Sequence, residues 1–302
     1  MSSRHIPLIA SVMGLSAGAI WSLGVVTARL ADGSDAFQYL VWRSIGIIVV
    51  IEIMGRIQRK PIQTLRAYTS GPTMLTANVM LLIASLGFVY AVKTTTAANA
   101  AFLGSTTPVF GAIAAWIFLR ERLTRVTIAS IVLAFAGLFI MVAGDLEAGN
   151  MIGNLSALSA AVGFAGYAVC VRSDPHEDWS AVLPGYGLMM IVICTVVTIA
   201  GGKTLIPPAA DLAYALVHGA VIIVVGTLMF NLASKQVPAA AMTVFAQTEM
   251  VLVPVWSVTF LDDRPPATTW IGGAIIFVAI MGKTALDARS HRTDGLVVYE
   301  PL

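Results

Sequence analysis

Charged side chains are scarce in this sequence. Only 11% of its 302 residues are Asp, Glu, Lys or Arg, whereas a soluble domain carries about 25%. So few charges cannot cover a surface that faces water. Hydrophobic residues make up 58% of the chain, which indicates that the solvent around the fold is lipid.

Residues typical of redox, metal or nucleotide chemistry are also few. The two cysteines, Cys170 and Cys194, lie inside apolar segments, so neither a disulfide framework nor a metal site is predicted. The histidines have no metal-ligand spacing; they are His5, His176, His218 and His291. The sequence has no glycine-rich phosphate loop that ends in Lys and Ser or Thr, so ATP hydrolysis is not supported. We therefore expect no cofactor, no metal, no catalytic residue and no nucleic acid partner.

The alternation of apolar and polar residues that a membrane β-barrel strand needs is missing too. Segments such as 47–51 and 131–135 are continuously apolar, which favours helices. Apolar stretches of about 20 residues, each long enough to cross a hydrocarbon core about 30 Å thick, recur along the chain. The sequence predicts an all-α membrane protein with ten transmembrane helices, at 7–28, 36–55, 72–91, 97–119, 125–144, 152–171, 180–200, 211–231, 238–261 and 267–286.

The basic residues give an orientation. If the amino terminus is cytoplasmic, thirteen of the eighteen Lys and Arg residues fall in cytoplasmic loops and flanks, and the segments 56–66 and 120–125 supply seven of them. The positive-inside rule then places both termini in the cytoplasm. We expect a multi-pass protein of a bacterial plasma membrane.

The chain also matches itself at a shift of 142 or 143 residues. Lys93 aligns with Lys235, Arg122 with Arg264, and Arg29 with Arg172, all at the ends of predicted helices. These matches predict a first repeat over 1–149, a second repeat over 150–289 and a tail over 290–302.

Each repeat contains five predicted crossings. Because five is odd, the second repeat must begin on the opposite side of the membrane from the first. Inverted repeats place a binding site near the midplane between the two halves, where rocking exposes it to either side in turn. The pattern therefore favours a transporter that works by alternating access, with a small-molecule substrate.

One segment resembles a known family. The run TTPVFGAIAAWIFLRERLT (106–124), with Pro108 and Glu121, is similar to the EamA-type repeat of the drug/metabolite transporter superfamily. In the second repeat, Glu249, Met250 and Asp263 stand where the family has a Glu-Pro pair and a later Glu. The resemblance implies ten helices, cytoplasmic termini and export of metabolites, most like the amino acid and drug exporters, including the aromatic amino acid branch.

Glu249 is the most informative side chain, because an ionisable group at the bilayer centre costs about 2.5 to 3.5 kcal/mol. It shares a predicted helix face with Phe245, Leu252 and Trp256. Two interpretations stay open: Glu249 contacts substrate or titrates during transport, or it makes a structural hydrogen bond to Asn78 or Asn99.

Further candidates for the cavity are aromatic, amide or apolar. Trp21 lies in the middle of the first helix, and Phe164 and Tyr167 lie at the equivalent point of the second repeat; such rings either line a cavity or pack in the core. The amides of Asn78 and Asn99 either orient a zwitterion or bridge helices. The full candidate set is Trp21, Asn78, Leu82, Asn99, Leu103, Phe164, Tyr167, Phe245, Glu249 and Trp256.

Other ionisable residues are expected near the ends of the helices. Arg43 is predicted to reach the outer interface, with a partnership with Glu52 or a carboxylate ligand as the alternatives. An interfacial position is also expected for Glu52, His218, Lys93, Lys235 and Lys283.

These features favour an exporter of small amphipathic metabolites, amino acids first among them. The alternatives are a drug exporter of the same superfamily, a passive channel and a membrane enzyme that acts on lipid-linked substrates. Nothing in the sequence demands a second chain, so a monomer in the lipid bilayer is the expectation.

Overall fold

The computed structural model describes residues 8–95, 100, 103–121, 123–142, 151–260 and 267–294, and these form an all-helical protein. The helices of the first repeat are α1 (Leu8–Leu30), α2 (Ala36–Ile57), the short α3 (Gln63–Thr69), α4 (Pro72–Thr94), α5 (Thr107–Leu119) and α6 (Arg125–Val142).

The second repeat contains more interruptions. It comprises α7 (Met151–Ser173), a 3-10 turn (Trp179–Ala181), α8 (Val182–Ala200), α9 (Ala209–Val217), a π-helical segment (His218–Ile223), α10 (Val224–Ser234), α11 (Ala239–Ala246), α12 (Thr248–Phe260) and α13 (Ala267–Asp294).

Ten crossings account for the described helices. Six helical stretches have the length and hydropathy of membrane spans: 8–30, 72–94, 151–173, 179–200, 209–234 and 239–260. Three shorter apolar helices are found at 107–119, 125–140 and 267–283, and the 22 residues of α2 make the tenth. The predicted all-α fold of ten helices is confirmed, and only α3 was not expected.

The packing of the helices follows the repeat. In the first repeat α4 packs against α7, and its counterpart α10 packs against α1, the counterpart of α7. The remaining large contacts join counterparts directly, α2 with α8 and α6 with α13. Each half therefore completes its core with helices of the other half, as two inverted repeats do.

The lysines that the sequence alignment pairs make the same contact at opposite ends of the molecule. The Lys93 Nζ atom donates to the carbonyl oxygens of Ala31 and Ser34, at 2.9 and 2.6 Å. The Lys235 Nζ atom donates to the carbonyl oxygen of Glu177 at 3.0 Å, and Glu177 is the residue that a shift of 143 matches to Ser34. Both lysines thus fasten the loop that follows the opening helix of a repeat.

The two sides of the membrane are named here after a lysine on each. The Lys60 face holds the end of α2 and the start of α4, and the Lys203 face holds the end of α1 and the loop between α8 and α9. Neither Lys93 nor Lys235 simply lies in the interface as expected, because each hydrogen-bonds to backbone carbonyls.

Helices four and nine of the ten are interrupted at equivalent points. Residues 103–104 are helical, a turn follows at 105–106, and α5 begins at Thr107; Gln247 separates α11 from α12. Pro108 therefore stands in the first turn of α5, where its missing N–H is harmless. In the second repeat Pro254 lies inside α12 instead.

The eighth crossing departs from its counterpart α4 by the π-helical turn between α9 and α10. Single π turns are rare and are often found at functional sites. A Cβ added to Gly219 in this turn would lie 1.9 Å from the carbonyl oxygen of Arg43, so only glycine permits this approach of the π turn to α2.

Candidate functional site

A cavity of about 150 Å³ lies between the two repeats. Room for one water molecule takes about 10 to 15 Å³ on this scale, so the space equals about ten waters. Its walls come from both halves and consist of Trp21, Gly24, Arg43, Leu81, Ala84, Ser85, Phe88, Gly104, Thr107, Ala160, Ala161, Phe164, Tyr186, His218, Ile223, Thr227, Ala246, Gln247, Glu249 and Met250.

The lining obeys the internal repeat. A shift of 142 or 143 residues carries most lining positions onto other lining positions, which places the cavity on the pseudo-twofold axis. The pairs that line it are Trp21 with Phe164, Arg43 with Tyr186, Leu81 with Ile223, Ser85 with Thr227, Gly104 with Ala246, and Thr107 with Glu249.

The floor of the cavity is aromatic. The ring centroids of Trp21 and Phe164 are 5.5 Å apart, nearly perpendicular, and those of Trp21 and Phe230 are 5.4 Å apart. Tyr167 lies behind this cluster, stacked on Phe230 at 5.8 Å, and its hydroxyl donates to the Oδ1 atom of Asn231. Such packing fixes the rings that face the cavity.

The two halves differ at their charges. Arg43 of the first repeat faces a position that its counterpart fills with Tyr186, and Glu249 of the second repeat stands where the first has Thr107. The cavity therefore contains one cation and one anion, each contributed by a different repeat.

Arg43 is the largest charged group in the interior. It is 2% exposed, one terminal nitrogen donates to Ser85 Oγ, and its Nε atom has no hydrogen-bond partner in the described part of the protein. The expected position of Arg43 at the outer interface is wrong, because α2 turns this side chain into the bundle. A partnership with Glu52 is wrong too: Glu52 accepts from Thr64 N at 2.6 Å and caps α3.

His218 is also internal rather than interfacial. It is 4% exposed, and its Nδ1 atom is 2.7 Å from the hydroxyl oxygen of Tyr39. Tyr39 in turn donates to Thr27 Oγ1 at 3.2 Å. The ring packs on Gly24, where an added Cβ would lie 2.6 Å from Nε2. The π turn thus holds the imidazole against α1 and α2.

Glu249 lies in the first turn of α12 and lines the cavity. In the described part of the chain it forms neither an ion pair nor a hydrogen bond to Asn78, whose amide donates to the Ala67 carbonyl oxygen at 2.9 Å. The continuous face with Phe245 is wrong, because the break at Gln247 separates them and Phe245 is 0% exposed in the core.

The candidates predicted from the sequence therefore separate. Trp21, Phe164 and Glu249 line the cavity, whereas Trp256 donates to Ser22 Oγ at 2.7 Å and ties α12 to α1. Leu82 lies in a shallow apolar groove beside Leu188. Leu103 packs against a small cluster of alanines, and Asn99 lies outside the described residues.

Several polar residues of the cavity were missed by the sequence reasoning: Ser85, Tyr186, Thr227 and Gln247. They are common residue types, and no single position is unusual. The repeat itself was the available signal, because Ser85 and Thr227 are paired by the shift of 142 residues, as are Ser105 and Gln247.

The cavity is nearer to the Lys203 face. Gly24, Arg43 and Phe88 are six or seven residues from the helix ends on that side, which is about 10 Å at 1.5 Å per residue. On the opposite side, ion pairs join the repeats across the Lys60 face. These pairs are Lys60 with Asp178 at 2.7 Å, Arg66 with Asp178 at 3.1 Å, Arg66 with Glu177, and Arg172 with Glu121 at 3.0 Å.

The ion pairs on the Lys60 face persist at neutral pH. Partial burial raises the pKa of the Asp178 carboxyl, but hydrogen bonds from Lys60 and Ser180 and the charge of Lys60 outweigh that effect and hold the pKa well below its usual value. An acid with a lowered pKa keeps its stabilising contribution above its unfolded-state pKa and loses it as the pH falls through the folded-state value. The Lys60 face is therefore fastened across the physiological range.

Two inverted helical repeats around a midplane cavity define a multi-pass membrane transporter. The description of the EamA-like transporter family matches residues 8–143 and 151–284, one copy in each half. The chain belongs to this family, a branch of the drug/metabolite transporter superfamily, as its sequence motif predicted.

Relatives agree with this assignment. The chain is 24% identical over 219 residues to the uncharacterized transporter YetK of Bacillus subtilis (strain 168), a match that covers 68% of this chain and 66% of YetK, just under two thirds of its length. A solved crystal structure of a protein with 18% identity superposes with a TM-score of 0.78 over 95% of this chain and all of the other. That likeness supports the fold.

Proposed function

We propose that this protein is a secondary exporter of small amphipathic metabolites, amino acids first among them. The observation that carries the proposal is the cavity on the pseudo-twofold axis, next to the equivalent breaks before α5 and α12. Interrupted helices at corresponding positions of inverted repeats are typical of substrate sites in secondary transporters.

The walls suit an amphipathic solute. Aromatic rings line one part of the cavity, and Ser85, Gln247 and Glu249 supply polar groups at another. Ligand sites combine a largely apolar wall with a few placed polar groups in this way. Aromatic and other neutral amino acids have both kinds of surface.

The proposed cycle is alternating access. The ion pairs across the Lys60 face hold that side closed while the cavity lies nearer the Lys203 face. Opening the Lys60 face requires these pairs to separate, and closing the other side requires the halves to rock. The proposal places the basic Lys60 face and both termini in the cytoplasm of a bacterial cell.

Liposomes that contain the purified protein test the proposal. We expect saturable uptake of at least one labelled solute from a panel of amino acids and cationic drugs, measured with and without a pH gradient. A passive channel would show far higher turnover without saturation. Failure of every panel member to enter faster than into protein-free liposomes would contradict the proposed function.

A further inference from the structure

The two charges in the cavity point to a particular class of solute. Arg43 and Glu249 are the charged lining residues of the central cavity, and each replaces an uncharged residue at the equivalent position of the other repeat. They have opposite signs. In the described part of the chain, neither of them forms an ion pair with any group.

An unpaired buried cation is expensive. Removing a charge from water without a partner costs several kcal/mol, and Arg43 is 2% exposed with only Ser85 as a side-chain partner and Nε unsatisfied. The guanidinium group presents several N–H donors in a planar fork that matches a carboxylate. The missing partner of Arg43 is therefore an oxyanion that enters the cavity.

The backbone fixes Arg43 in place. Its carbonyl oxygen lies against Gly219 in the π turn, and His218 beside it is hydrogen-bonded to Tyr39, one helical turn before Arg43 on α2. The π turn is present in the second repeat only, so the feature that breaks the symmetry of the helices supports the residue that breaks the symmetry of the charges.

Glu249 supplies the opposite charge. It lies directly after the helix break at Gln247, and its neighbours Gln247 and Met250 also line the cavity. A carboxylate there attracts an ammonium group, while the aromatic wall of Trp21 and Phe164 is available to a side chain.

We propose that the central cavity is a two-point zwitterion site, in which Arg43 binds the α-carboxylate and Glu249 binds the α-ammonium of an amino acid. This inference rests on the proposed transport function and narrows its substrate class. A simple carboxylate or a simple amine satisfies only one of the two charges and binds more weakly.

The test is competition in liposomes against uptake of labelled L-phenylalanine and L-methionine. We use two competitors that each lack one charge: phenylalaninamide, without the carboxylate, and 3-phenylpropionate, without the ammonium group. For the wild-type protein each competitor should bind about tenfold or more weakly than phenylalanine, since a hydrogen bond to a charged group contributes about 1.5 to 3 kcal/mol and 1.4 kcal/mol is tenfold.

Variants assign the two points. Arg43→Gln should raise the KM for phenylalanine by about tenfold or more and remove the discrimination against the amide, while Glu249→Gln should remove the discrimination against phenylpropionate. Arg43→Lys keeps the charge without the fork and should give an intermediate KM. Arg29→Gln, which removes an exposed arginine from the end of α1, is the matched control and should leave both ratios unchanged.

The outcomes separate the two proposals. If no panel solute is transported, the proposed function fails. If cationic drugs enter but neither amino acid does, or if the amide competes as well as phenylalanine itself, transport stands and the zwitterion site is overturned. Thermal unfolding in detergent identifies a variant that does not fold, and the competitor pattern of the wild-type protein decides the question even then.

Discussion

Single residues of the cavity differ in what surrounds them, and this decides what their loss does. Trp21 contacts Phe164 and Phe230 and faces the cavity. Trp116 of α5 is 64% exposed on the outside of the bundle, where lipid surrounds it. The two tryptophans therefore separate the effect of a cavity wall from the general effect of removing an indole ring.

Trp21→Ala should weaken the binding of aromatic solutes. An aromatic pair contributes about 0.5 to 1.5 kcal/mol, so the KM for L-phenylalanine should rise several-fold, on the order of 10 at most. Trp116→Ala should leave the KM unchanged. Initial rates in liposomes measure both values, and equal values for the two variants would remove Trp21 from the solute site.

Among the elements, the π turn depends most on one small residue. At Gly219 an added methyl group would meet the backbone of Arg43 at 1.9 Å. Backbone atoms cannot rotate away as a side chain can, so α2 and the π turn would have to move apart. At Gly282 of α13 an added Cβ meets no atom within 4 Å.

Gly219→Ala should therefore destabilise the protein by about 1 to 3 kcal/mol through overpacking, and transport should fall because Arg43 is displaced. Gly282→Ala should be neutral or slightly stabilising, because alanine is the better helix former. Thermal unfolding in detergent compares the variants. If the Gly219 variant unfolds at the wild-type temperature, the close contact with α2 is not real.

The sequence predicted these elements unevenly. Apolar runs of about 20 residues revealed the ten crossings, since length and hydropathy alone decide that a segment spans lipid. The π turn and the break at Gln247 carry no such signal. Both depend on how neighbouring helices approach, and alignment of the two repeats, which have one residue more or less between equivalent helices, was the only hint.

The site was predictable in part for the same reason. Trp21, Phe164 and Glu249 stood out because aromatic and ionisable residues are informative in the middle of a span. Arg43 was assigned to the interface by its distance along α2, whereas its inward direction depends on the packing of α2 against α8 and the π turn.

At the scale of the whole molecule, two halves of similar structure meet around a cavity with one side fastened. The core of each half includes helices of the other, α4 with α7 and α1 with α10, so motion is expected as rocking of these pairs. The ion pairs of the Lys60 face join the first repeat to the second, and transport requires that they separate and re-form in each cycle.

Locking the Lys60 face tests this account most directly. Lys60→Cys and Asp178→Cys replace side chains that are 2.7 Å apart, in a protein whose two native cysteines are changed to alanine, and a short thiol-cleavable crosslinker joins them. The account predicts that solute uptake into liposomes stops when the link forms and returns when a reductant cleaves it, while each single-cysteine protein is unaffected by the reagent. Uptake at the full rate with the link intact would contradict the central claim.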